Sequence, residues 1–184
     1  MKRNSILKAS CILAVLLFPF YSLLAQGNEE NIYQEITQDS LLRTARTVIE
    51  SASCRVLITV DENGKPHARA MAPFPIEDDW VIWLGTTQGS RKTKQIQNNP
   101  NVIVYYYEPN GRSYVSLAGK ARLVNDPDLK AKYWVEGWNY FFPDRDKSYI
   151  LIEVTPENLE IASFKYNILW DSKGDSRIID LVSK

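Results

Sequence analysis

One histidine and two cysteines are the whole supply of soft or imidazole ligands in 184 residues. No His/Cys/Asp set has metal-ligand spacing, so a metal centre is not expected. The lone His67 has no serine and acid arranged with it as a charge-relay triad, and it reads either as a partly exposed structural residue or as a proton donor. An excess of one charge is missing as well. Twenty-two Lys and Arg face 22 Asp and Glu, which argues against a broad nucleic-acid surface. Cysteine is too scarce for a disulfide framework: Cys11 lies in an N-terminal apolar run, and Cys54 reads as a buried, inert thiol opening a strand. The sequence carries no repeat, low-complexity tract or internal linker.

The chain has one long hydrophobic run, at its start. Lys2, Arg3 and Lys8 precede ASCILAVLLFPFYSLLA, with small residues at Ser22 and Ala25. This order is that of a secretory signal peptide over 1–25, and it implies a periplasmic or secreted protein. Pro19 and a run of about 17 residues make a stable membrane span marginal, so membrane contact is expected only if the segment stays uncleaved. Cys11 follows Lys-Ala-Ser, which is no lipid-attachment motif, and no twin-arginine pair is present. Cleavage removes three of 22 basic residues and no acidic ones, for a formal charge of −3. A polar leader over 26–36 and one domain over 37–184 would remain.

Within that domain the hydrophobic period switches repeatedly. Leu41, Leu42, Ala45, Val48, Ile49 and Ala52 fall on one face of a helix over 38–52, capped by Thr37 or Asp39. RVLITV and the stretch 65–72 form a hairpin around DENGK, with Asn-Gly at its tip. Further strands are expected at 80–86, 102–107, 114–124, 149–154 and 159–164. Gly119 reads as a bulge. Short helices are expected at 90–98, with Ser90 as N-cap, and at 126–137, with Pro127 in its first turn. The tail offers a weak strand or helix at 177–182. Many short strands with few helices between them make a mainly β chain with flanking helices, closed or nearly closed into an antiparallel barrel.

The chemistry concentrates between Pro66 and Pro100. Arg69 sits on a strand just past a tight turn, and QGSRKTKQ opens a helix about 20 residues later. Fork-shaped Arg donors, a Lys point charge and free helix N-terminal amides together suit a phosphate group. The plain alternatives are a surface Arg paired with an acid and a solvated helix face.

Three segments in order, TVDENGKPHARAMAP, GSRKTKQIQNNPNV and YVSLAGKARLVNDP, resemble the pyridoxamine 5'-phosphate oxidase-like, FMN-binding split-barrel superfamily, in its general stress protein 26-type branch. The resemblance spans about Leu41 to Pro156. It implies a six-stranded antiparallel split β-barrel that dimerises, with FMN held between subunits. It maps flavin contacts onto Arg69, Ala70 and Met71, then onto Thr86, Arg91 and Lys92, with Thr87 and Ser90 adding hydroxyls. Tyr114 stands where the oxidase has a Gln beside the flavin ring. Trp134, Trp138, Tyr140, Phe141 and Phe142 read either as core and dimer-interface packing or as a wall over the flavin; the resemblance places Trp138 and Phe142-Pro143, and less directly Trp170-Asp171, at such a wall. The oxidase's C-terminal Trp, Arg and His substrate set has no counterpart, so vitamin B6 oxidation is not expected. No side chain stands out as a catalytic acid or base. The implied activity is electron transfer between a small-molecule donor and acceptor through the flavin. The alternatives are a non-enzymatic binding protein that has lost flavin, and haem or a deazaflavin in the same groove.

Overall fold

The computed structural model describes residues 36–53, 55–72, 74–170 and 174–182. The segment 1–25 read as a signal peptide, the leader up to residue 35, Cys54 and Asp171 lie outside them. The domain from Thr37 onward begins with α1 (Gln38–Ser51), whose N-cap Thr37 accepts a hydrogen bond from the Ser40 amide at 3.3 Å. Its stripe of Leu41, Ala45, Val48 and Ile49 is buried against the sheet. Burial of Leu41, Val48 and Ile49 contributes about 1.5–3 kcal/mol each.

The strands are β1 (Arg55–Val60), β2 (Pro66–Met71), β3 (Ile82–Thr87), β4 (Asn101–Glu108), β5 (Ser113–Val124), β6 (Tyr149–Ser163) and β7 (Arg177–Asp180). Helix α2 (Arg91–Asn98) lies between β3 and β4. The short α3 (Pro127–Lys132), a 3-10 turn (Trp138–Tyr140) and α4 (Arg145–Ser148) separate β5 from β6. All pairings are antiparallel, in the order β2-β1-β4-β5-β6-β3, with β7 added to β6. The fold is the mainly β split barrel expected, but it has seven strands, and β2 and β3 end the sheet without pairing.

Three elements depart from the sequence reading, and the tail is settled between its two alternatives. The strands expected at 149–154 and 159–164 are one 15-residue strand. Pro156 does not break it, because the register shifts between Ala118 and Gly119 at that point, and a bulge spares the missing N–H. The strands come so close there that a Cβ on Gly119 would stand 2.2 Å from the Thr155 carbonyl oxygen. The helix expected at 126–137 stops at Lys132, where the buried Tyr149 hydroxyl donates to the Tyr133 carbonyl at 2.8 Å. Trp80 precedes β3 rather than belonging to it: its φ of 71° puts it in a turn, clamped by the Arg46 guanidinium 4.3 Å above its ring. The tail segment resolves as the strand β7.

The pleat divides the side chains into two packed groups. Leu57, Val104, Leu117, Leu159 and Ile161 are fully buried on one face. Against the other face, where β3 and β6 meet, Phe74, Trp83, Val124, Tyr133, Phe142, Tyr149 and Leu151 form a second cluster, with Trp134 and Trp138 packed on it.

Candidate functional site

The two unpaired ends of the sheet come together under α2. Lys92, in its first turn, donates to Thr86 Oγ1 on β3 at 2.9 Å. One turn further on, Gln95 accepts from Arg69 Nη2 on β2 at 3.2 Å and from Thr59 on β1 at 2.6 Å. The helix therefore bridges the split, and its N-terminus lies at the seam.

Three cations collect there. Burial first, and then the neighbouring Arg91, hold the Arg69 guanidinium below its ordinary value. Lys92 is lowered by burial and by both Arg69 and Arg91. Among the described residues none of the three is ion-paired with a carboxylate. Like charges held together without a counter-ion are unfavourable until an anion arrives.

The helix start adds donors. Ser90 occupies the N-cap, as expected, but its side chain makes no capping bond. Its buried Oγ has no hydrogen-bond partner among the described residues. The first-turn amides are left uncapped and carry the positive end of the helix dipole. An unpartnered hydroxyl, free amides, two guanidiniums and an ammonium, with the buried Thr86 beside them, fit the phosphate of FMN, whereas Thr87 is exposed on the other side of the β3 pleat. Met71 shares the inward face of β2 with Arg69, whereas Ala70 is exposed on the other face.

Tyr114 and Trp138 are not brought to this cluster within one chain. Tyr114 lies on the opposite sheet face, where its hydroxyl donates to Glu160 at 2.7 Å and its ring stacks on Tyr105. Trp138 packs over Gly85, and the pleat points Gly85 away from the side of β3 that carries Thr86. It belongs to the aromatic cluster there, its ring centroid 5.7 Å from those of Phe74 and Phe142. His67 bonds Asp61 at 2.7 Å, beside a turn that the same carboxylate caps through the Asn63 and Lys65 amides. This pairing holds the Asp61 carboxyl below its usual range.

Sequence reading missed Gln95 and Thr59, which are 5% and 0% exposed. The available signal was a Gln three residues after Lys92, beside the buried Ile96 on an otherwise polar helix.

Comparison with known proteins gives a consistent picture. Residues 41–182 match the family model described as pyridoxamine 5'-phosphate oxidase like. General stress protein 26 of Bacillus subtilis (strain 168) is 32% identical over 132 residues, covering 70% of this chain and 92% of that protein. The crystal structure of general stress protein 26 from Bacillus anthracis str. Sterne superposes with a TM-score of 0.60 at 27% identity, over 76% of this chain and 98% of that one. A pyridoxamine 5'-phosphate oxidase-related, FMN binding protein from Nostoc punctiforme PCC 73102 shares the fold, with a TM-score of 0.58 at 18% identity over 76% of this chain and 94% of its own. Matches to pyridoxine/pyridoxamine 5'-phosphate oxidases cover less of the partner, such as 45% of the enzyme from Legionella pneumophila (strain Lens).

Proposed function

Because the chain belongs to the pyridoxamine 5'-phosphate oxidase-like family, we propose that it is an exported FMN-binding protein that acts as a flavin-dependent oxidoreductase on a small molecule. The observation that carries the reading is the unpaired cluster of Arg69, Arg91 and Lys92 at the uncapped start of α2. Arg69 and Arg91 would hold phosphate oxygens by forked hydrogen bonds, Lys92 would neutralise charge, and the Ser90 hydroxyl would complete the shell. Bound FMN would supply the electron transfer. The protein's own groups bind, orient and shield, and none is assigned a proton-transfer step.

The active form is proposed to be a homodimer. The outer face of β1, β4 and β5 supports this, with an apolar groove of about 310 Å³ lined by residues including Ile58, Val60, Val102 and Ile103. Tyr105, Tyr107 and Tyr114 stand on the same face. Export rests on the segment 1–25. Purifying the exported protein and recording its visible spectrum tests the reading. Flavin bands released as FMN support it. A Soret band points to haem, and a colourless protein that does not take up FMN points to a binding role without flavin.

A further inference from the structure

The hydrogen bonds of Arg69 use only part of its guanidinium. Such a group carries five N–H donors. Nη1 spends both of its own, on the Leu57 carbonyl at 3.1 Å and on Thr59 Oγ1 at 2.7 Å. Nη2 spends one, on Gln95 Oε1 at 3.2 Å. The Thr59 hydroxyl in turn donates to Gln95 Oε1 at 2.6 Å, so the two acceptors stand together at the far end of the guanidinium. The remaining donors are Nε–H and the second Nη2–H, which lie side by side along one edge.

We propose that Gln95 and Thr59 are positioning residues that lock Arg69 by its end, so that its Nε–H and Nη2–H edge is presented as a fork to a phosphate group. This rests on the phosphate-binding reading above. The lock is built from interior groups on two different elements, and it aims a residue of an edge strand whose side chain is only half-buried. An Arg left to itself on such a strand would lose its rotamer freedom when the ligand binds. Here that ordering is complete beforehand, which favours affinity. The same arrangement makes the site selective for a phosphate-bearing flavin over its unphosphorylated form.

The experiment compares wild type with Gln95→Met and Thr59→Val, each alone and combined with Arg69→Ala. Dissociation constants for FMN and riboflavin are read by flavin fluorescence, and rotation of the Arg69 guanidinium by nitrogen-15 NMR of the ligand-free protein. Each single change should weaken FMN about tenfold, as expected for loss of one aligned charged hydrogen bond, and leave riboflavin unchanged. Neither should have a further effect in the Arg69→Ala background. Guanidinium rotation, slow in wild type, should become fast in both variants. Equal losses for FMN and riboflavin, or additivity with Arg69→Ala, would show a merely structural network and overturn the inference. FMN binding unchanged by both substitutions would overturn it alone. Wild type that binds neither FMN nor inorganic phosphate would overturn the phosphate reading and the inference with it.

Discussion

Replacing Lys92 by Gln should separate stability from binding. Lys92 is half-buried beside two guanidiniums, and its lowered pKa means that the unfolded chain holds this proton more tightly than the folded one. The sign follows. Protonated Lys92 opposes folding at all pH values below its folded pKa, and the penalty fades as pH rises through that value toward 10.5. A Gln amide keeps a donor for Thr86 Oγ1, which Lys92 Nζ now reaches at 2.9 Å, and removes the charge. The ligand-free Lys92→Gln variant should therefore melt no lower than wild type at pH 7, and low salt should widen any gain because repulsion is then least screened. Binding should move the other way. A charge-assisted hydrogen bond contributes about 1.5–3 kcal/mol, so FMN affinity should fall by roughly 10- to 150-fold while riboflavin affinity holds. Calorimetric melting and flavin titration on the same preparations measure both. A variant that melts clearly lower and binds FMN as tightly as wild type would refute the idea of a strained cationic seam waiting for an anion.

Other expectations follow from particular contacts. Gly85→Ala would push a methyl to within 2.6 Å of the Trp138 ring and 2.7 Å of Tyr149; a loss of about 1–3 kcal/mol with a changed near-ultraviolet circular dichroism spectrum is expected, and an unchanged spectrum would contradict that packing. Arg55 is 3% exposed, its Nη2 donates to the Phe74 carbonyl, its Nε and Nη1 lack partners among the described residues, and burial holds its pKa down. Arg55→Met should thus raise stability, by about 1–3 kcal/mol, and a fall in the denaturation midpoint would show that those donors are satisfied. Asp61→Asn should flatten the acid limb of the stability curve, because the Asp61 contribution is present above its unfolded pKa and lost as pH falls through the lowered folded value; identical acid limbs would exclude the His67 pairing. Pyridoxine 5'-phosphate should not be turned over by FMN-loaded protein, since the tail from Phe164 offers only Lys165, Lys173, Arg177 and Lys184 for a second phosphate, and oxidase assays showing roughly 1 s⁻¹ or more would reverse that view.

Local patterns determined what short-range physics can encode. Asn-Gly flanked by alternating strands specified the β1–β2 hairpin. The apolar stripe of α1 specified which face it buries, and Arg91-Lys92 stood out because cations at a helix start oppose the helix dipole, although a solvated face was an equally plain use of them. The tertiary structure decided whatever depends on two segments meeting. The stretches 149–154 and 159–164 read as two strands until the bulge against Gly119 showed how β6 continues through Pro156. Helix α3 stops short because Tyr149, 16 residues beyond Tyr133, bonds its carbonyl. Tyr114 and Trp138 carry suitable chemistry, but the pleat turns each away from the seam of its own chain. Gln95 looked like one more polar helix residue, and only the closing of β1 and β2 beneath α2 put it against Arg69, 26 positions away. Periodicity tells which face a side chain takes; which partner waits on that face is settled only when the chain folds back on itself.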